Sequence, residues 1–409
     1  MKPISAFLRV SATLGVAALI SACNDTLPAH LGPVPIDPLF QSYVALGNSI
    51  TAGYQSGGIT DSTQRESYAH LLAQAMHTRY AYASLTNPGC PPPIDNFQTQ
   101  GRPGGATDAT CNLRSPSSVT TALNNVAVPG ATSLDPTSVS TAASNPLTQF
   151  ILGGKTQAAR AADARPTFAS VWIGNNDVLI PALSGLLTPV PNISPGVTSE
   201  TDFETNYSAM INQLRTIPSL RGGVLIGVIQ VAAAPILFPA QALFNPAFKA
   251  GFDAFAGQPT TILPSCTLST TSLISFRIVS AIRSGDHPPV IGCEKNSVPT
   301  TAVGDIFVLD ATEQATLAAN ISRYNSYIQS VANSLGWAYY DPNPRLLTFK
   351  TSTPPCINPV LNLASATQPF GPCVSLDGVH PTAMAHQAIA NDLIGVINAK
   401  YGTTLAPAP

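Results

Sequence analysis

Four short polar clusters each adjoin an apolar run or a helix-like segment, and each carries a group that acyl-transfer chemistry needs. Gly47-Asn48-Ser49-Ile50 follows the apolar run 42–46. A serine at a strand-to-helix turn is exposed, and its N–H, near a helix start, can face a developing oxyanion. More plainly read, Ser49 is a helix N-cap. The stretch Asn125 to Thr132 contains Gly130, where the missing Cβ lets the backbone approach a substrate and donate its N–H. A turn glycine is the simpler alternative. Gly174-Asn175-Asn176-Asp177 follows another apolar run. The Asn176 amide can serve as an oxyanion donor, worth ~10²–10³ in rate, or the cluster can cap the next helix. The stretch Ser375 to Thr382 holds Asp377 and His380 on one turn. Such a carboxylate can fix the imidazole tautomer and stabilise the imidazolium, while the other ring nitrogen takes a serine proton. The alternative is an exposed Asp and His around a turn.

These clusters need elements to position them. Residues 42–46 read as a short buried strand. Leu123 to Val128, Thr167 to Ile173, Gly223 to Val231 and Trp337 to Tyr340 read as four more. Helix-like segments run near 147–163 and 203–215, and Tyr68, Leu71, Leu72 and Ala75 share a helical face. Asp310 and Glu313 form a capping-box pattern ahead of a helix presenting Leu317, Ile321, Tyr324, Ile328 and Val331, with Gly336 placed to end it. A last helix spans about 382–399. Repeated strand–helix units predict an α/β fold, a parallel sheet covered by helices on both faces. Ligands in such sheets bind beyond the carboxyl ends of the strands, which places chemistry after Leu46, Val128, Ile173 and Tyr340. Stretches 89–120, 184–200, 235–305 and 343–376 read as loop insertions. Within the third, Phe244, Phe248, Phe252 and Phe255 recur at helical spacing, either as an apolar wall or lid for an acyl or aryl group or as a packed subcore.

Taken together, the clusters resemble the four blocks of the SGNH (GDSL-type) hydrolase family, which supply Ser, Gly, Asn and His in that chain order. The Asp-x-x-His block followed by Pro-Thr and the Gly-x-Asn-Asp block are the most specific parts. The resemblance runs from about Ser42 to Asn398. It implies Ser49 as nucleophile, His380 as base and Asp377 as its orienter. The Ser49 and Gly130 N–H groups with the Asn176 amide would form the oxyanion hole. It also implies a three-layer α/β/α sandwich around a five-stranded parallel sheet of order 2-1-3-4-5. The family includes lipases, phospholipases, arylesterases, thioesterases and carbohydrate deacetylases, which share serine attack, an acyl-enzyme and release by water without a cofactor. One residue departs from its pattern: Asn48 stands where Asp is usual, as in a Gly-Asn-Ser form of the first block. The classical α/β-hydrolase elbow G-x-S-x-G is absent, since Ser49 has Gly47 before it but Thr51 after it. A non-catalytic envelope lipoprotein on the same scaffold, or an acyltransferase using the same site, are the alternatives.

Composition and the N-terminus place this chemistry in the cell envelope. Of 409 residues, 44% are hydrophobic and only 10% charged, so a sizeable core is available and Ser, Thr, Asn and Gln carry the surface polarity. A net charge of -2 and no Lys/Arg run argue against a nucleic-acid partner. Lys2 and Arg9, the apolar Val10 to Leu19 and the small residues before Cys23 read as a signal peptide over 1–22 ending in a lipobox-like sequence. Cys23 would then be lipidated, and Asn24 after it favours the outer membrane of a bacterium. Residues 23–41 would form a tether, 42–400 the hydrolase domain and 401–409 a flexible tail. The remaining cysteines are even in number and fall as local pairs, predicting disulfides Cys90–Cys111, Cys266–Cys293 and Cys356–Cys373. Each would close a loop of about 20 residues, worth on the order of 3 kcal/mol. No C-x-x-C or H-E-x-x-H metal pattern occurs. The expected partner is an ester substrate, small or lipid-like, with the membrane reached through the anchor. Oligomeric state is not legible.

Overall fold

The computed structural model describes residues 36–113, 122–138, 146–294 and 306–409. Cys23 and the leader reading lie outside them. Residues 36–409 form one compact unit. Its centre is a parallel sheet of β1 (Tyr43–Gly47), β2 (Phe168–Trp172), β3 (Gly222–Ile226) and β4 (Ala338–Tyr340), neighbours in that order. Tyr43 aligns with Phe168, Phe168 with Gly222, and Val224 with Ala338.

The helices that matter to the site are α1 (Ser49–Ala52), α2 (Tyr68–Ala75), α3 (Gln157–Asp163), α4 (Asn176–Ser184) and α5 (Glu200–Arg215). They continue with α6 (Pro246–Ala256), α7 (Ile278–Ser284), α8 (Ala311–Leu335) and α9 (Ala383–Tyr401). Strand residues alternate between two cores, as a pleated strand requires. Val44, Leu46, Val171 and Leu225 pack with Tyr207 and Leu214 of α5 and Leu317 and Ile321 of α8. Tyr43, Phe168, Trp172, Val224 and Ile226 pack with Leu72 of α2 and Leu393 and Ile397 of α9. Both faces of the sheet are therefore dry, and the three-layer α/β/α reading holds. The expected capping box of α8 forms between Asp310 and Glu313, and Gly336 caps its far end in the left-handed region.

The five-stranded sheet is corrected to four strands. The expected strand 123–128 runs beside β1 but makes only one isolated parallel bridge, Ala45 to Asn125. Its backbone bonds Ala45 N→Asn124 O, Val126 N→Ala45 O and Val128 N→Gly47 O occupy the edge position. The Asn124 and Asn125 side chains then turn back on the backbone, to Tyr43 O and to Ala127 N. Such local amide bonds compete with a regular ladder. Three further expectations shift. Helix 147–163 breaks at Gly153-Gly154 into Pro146–Leu152 and α3, whose N-cap is Thr156. The tether ends before 41, because Pro38–Phe40 form a 3-10 turn and Phe40 is buried. The 401–409 tail is not loose: Leu405 N and Ala408 N donate to Asn398 and Asn391 of α9.

The loop reading of 235–305 is also too plain. It contains α6, α7 and two strands, Leu237–Pro239 and Leu273–Ser275, of an antiparallel sheet completed by Val308–Leu309 just beyond it. Phe238, Phe252 and Ile274 give it a buried core. The three disulfides join Cys90 to Cys111, Cys266 to Cys293 and Cys356 to Cys373, one in each of the three large insertions.

Gly47 ends β1 where no side chain fits. A Cβ there would press on Thr51 Oγ1 and lie 2.7 Å from Trp172 O. Gly47→Ala is expected to lower the unfolding free energy by roughly 1–3 kcal/mol in urea denaturation. An unchanged midpoint would contradict the close approach.

Candidate active site

Everything expected of the site lies beyond the carboxyl edge of the sheet. Asn48, not Ser49, is the N-cap of α1: its Oδ1 accepts from Ile50 N at 3.1 Å. Ser49 occupies the first helical position, so its hydroxyl is free of capping duty. It meets His380 Nε2 at 2.8 Å, and His380 Nδ1 meets Asp377 Oδ2 at 2.8 Å. Capping needs an acceptor and no charge, which Asn supplies as well as Asp. The remaining Asn48 Nδ2 is buried, with the residue 1% exposed, and finds no partner among the described residues.

Asp377 is a polar hub. Oδ2 also accepts from Gly57 N at 2.7 Å. Oδ1 accepts from the Val379 and His380 N–H groups, both at 2.9 Å, and from Ser375 Oγ at 3.1 Å. Burial alone would raise this carboxyl. The His380 imidazole beside it, with the His380 and Gly57 N–H groups, instead holds it well below the usual carboxylate range. It is therefore an anion whenever the chain is folded near neutral pH. The Tyr54 ring lies 5.1 Å from the imidazole, and burial, then the Asp377 charge, pushes its hydroxyl up to about 12. The other histidine of this region, His386, is fully buried; its Nδ1 accepts from Tyr68 N at 3.2 Å, and burial pushes it down to about 3. It is a neutral structural group.

Gly130 and Asn176 reach the same place from the other side. Gly130 has φ +85 and is exposed, and among the described residues its N–H has no acceptor. Asn176 opens α4, and its Nδ2 donates one hydrogen to Ala131 O at 2.9 Å. The second amide hydrogen is left for a ligand. Ser49, Gly130, Asn176, Asp377 and His380 all line one cavity of about 820 Å³. Its walls are mostly apolar, with Leu179, Ile180 and Leu183 of α4, Phe255 of α6 and Phe276. The phenylalanine stripe thus divides. Phe252 is fully buried in the subcore, Phe255 faces the cavity, and Phe244 is exposed.

The sequence reading missed what holds the two halves of the site together. Asp177 sits in a motif already singled out, yet its role depends on Ser133, 44 residues earlier. Ser133 N and Oγ donate to its carboxylate at 2.8 and 2.6 Å, which ties the Gly130 loop to α4. Ser56 and Ser375–Leu376 exchange bonds of 2.9 and 3.1 Å, fixing the first block against the last. No local pattern reports pairings across such separations.

Residues 43–393 match the family model described as GDSL-like Lipase/Acylhydrolase. No curated protein matches the sequence. Among solved structures the chain is similar to a mutant of Axe2, an acetyl-xylooligosaccharide esterase from Geobacillus Stearmophilus, at 11% identity and TM-score 0.36, covering 87% of this chain and 94% of that one. It is also similar to an extracellular lipase from Streptomyces rimosus, at 13% identity and TM-score 0.33, covering 88% and 98%. A third is phospholipase A1 from Streptomyces albidoflavus NA297, at 14% identity and TM-score 0.30, covering 88% and 99%. Likenesses this distant carry no argument about the reaction.

Burial raises the Asp177 carboxyl to about 6 against the hydrogen bonds from Ser133 and Thr198. Its pKa in the unfolded chain is about 3.9. A raised folded pKa contributes stability that is fully present below the unfolded value and is lost as pH rises through 6. Relative to wild type, Asp177→Asn should therefore gain roughly 2–3 kcal/mol between pH 4 and 8. Urea denaturation across that range reads it. Parallel stability curves for the two proteins would contradict the buried, poorly compensated charge.

Proposed function

The chain belongs to the GDSL-like lipase/acylhydrolase family, and on that premise we propose that it is a serine-dependent carboxylic ester hydrolase working through an acyl-enzyme. The observation that carries this reading is the unbroken relay Ser49 Oγ–His380 Nε2–Asp377 Oδ2, with both contacts at 2.8 Å.

His380 Nε2 takes the hydroxyl proton as Ser49 Oγ bonds to the ester carbonyl carbon. Negative charge moves to the carbonyl oxygen, where the Ser49 and Gly130 N–H groups and the Asn176 amide stabilise it. The carbon–oxygen bond to the alcohol then breaks, and the imidazolium returns its proton to the departing alkoxide. Water repeats the sequence on the acyl-enzyme, His380 again taking a proton, and releases the free acid and Ser49. Asp377, held by five donors, keeps the imidazole in the tautomer whose Nε2 is free to accept. The steps call on this chain's own residues throughout. An apolar cavity of this volume suits an acyl group of several carbons.

The reading extends to location. The enzyme is held in the bacterial cell envelope, on the outer membrane, by a lipid on Cys23. The support is the basic, apolar and small-residue succession before Cys23, with Asn24 after it, and the three disulfides of an oxidising compartment.

Residues 24–409, produced in an oxidising compartment and assayed on p-nitrophenyl esters from acetate to palmitate, should turn over. Ser49→Ala should lose on the order of 10⁴–10⁶ in kcat. A folded parent as inert as the variant on every ester would sink the hydrolase reading. For the anchor, full-length protein grown with radioactive palmitate should carry label that Cys23→Ser abolishes. Unlabelled wild type found free in the periplasm would overturn it.

A further inference from the structure

The cavity that holds Ser49 is also lined by two cations that, among the described residues, make no direct ion pair. Arg277 and Arg283 bracket α7 and line the cavity with Ser280 between them. Six residues apart, the two arginines stand about 9 Å from one another along the helix axis, and both line the cavity. Among the described residues neither guanidinium makes a hydrogen bond or an ion pair. The two acidic groups in the same cavity are already engaged. Asp377 has its oxygens filled by His380 and by N–H and hydroxyl donors, and Asp108 pairs with Arg102. Arg277 is close enough to Asp377 and Tyr54 for its charge to act on both. Both arginines are exposed, so an anion entering the cavity can reach them, and partial desolvation lowers the Arg277 pKa.

A guanidinium that makes no hydrogen bond of its own keeps its donors for a ligand. Its planar donor fork matches a carboxylate or phosphate. Leu179 and Leu183 give the same cavity an aliphatic wall. We infer that the cavity wall carrying Arg277 and Arg283 binds an anionic group, carboxylate or phosphate, on the substrate, so that the preferred ester is an amphiphile with one apolar and one anionic end. The inference rests on the ester-hydrolase reading for its substrate but not for the site itself. Arg277 would receive an anion placed near the scissile carbonyl, and Arg283 one placed farther along the helix.

Two matched pairs of esters test it. In one, p-nitrophenyl hydrogen suberate is compared with its methyl ester. In the other, 1-octanoylglycerol 3-phosphate is compared with 1-octanoylglycerol. The parent enzyme should favour the anionic member of at least one pair by about tenfold in kcat/KM. That advantage should shrink as salt rises. Arg277→Gln and Arg283→Gln should lower kcat/KM for the anionic member more than for the neutral one. Preference confined to the first pair assigns a carboxylate, and to the second a phosphate. No preference in either pair overturns the inference, as does an equal loss on both members in Arg277→Gln, which would mark a general effect on oxyanion charge. Calorimetric binding of octanoate and octyl phosphate to Ser49→Ala, with and without Arg277→Gln, reads the site without turnover. Should the parent cleave no ester at all, the hydrolase reading fails, and the anion site stands or falls on that binding alone.

Discussion

Five donors converge on the Asp377 carboxylate, and the arrangement of the site follows from satisfying it. A buried anion without a salt-bridging cation is tolerated only when nearly every lone pair is bonded. Here the turn 375–380 wraps its own N–H groups around the carboxylate, and Gly57 reaches in from a segment 320 residues earlier. The bond that orients His380 therefore also clamps the loop after α1 to the loop before α9. Ser49 and His380 meet because the same electrostatic demand fixes both of their loops, and the Ser56–Ser375 exchange repeats the clamp beside it.

Uncharged amides do similar work along the rest of the sheet edge. Parallel strands ending together leave backbone groups that need partners. Asn175 receives Ile229 N, and Asn325 and Asn343 both donate to Val228 O. In a chain with only 10% charged residues, these amides tie strand end to strand end without bringing in charge that would need a counter-ion. Asp177 is the exception. It holds the Gly130 loop against α4 at a cost visible in its raised pKa, which suits a place where two oxyanion donors must be set relative to one another.

The cavity is walled by the insertions together with α4 of the sandwich. Phe97, Phe255, Phe276 and Phe370 come from three separate insertions, and Phe97 stacks within 5.0 to 5.5 Å of the other three. One disulfide closes each of these insertions, limiting the freedom that long, loop-rich segments would otherwise keep. The sandwich can thus hold the relay fixed while the walls set what enters. Arg277 and Arg283, at the start and near the end of α7, lie on such a wall.

Local patterns were enough to read the layered α/β fold, the capping box of α8 and the neighbour pairing of the cysteines, and they singled out Ser49, Asp377 and His380 as candidates. Most of these are encoded within a few residues: a period of two or of 3.6, a cap three positions from its partner, a carboxylate three positions from an imidazole; the cysteine pairs reach farther, 17 to 27 residues. The tertiary structure alone decided the rest. Whether 123–128 became a strand depended on where its asparagines found partners. Whether 402–409 stayed loose depended on acceptors along α9. Which phenylalanines faced the cavity, what Asp177 holds, and that Arg277 and Arg283 line the same cavity as Ser49 are outcomes of contacts between segments tens to hundreds of residues apart. Those contacts are chosen by the requirement that buried polar groups be paired and apolar faces covered, a condition on the whole chain that no single stretch of sequence states.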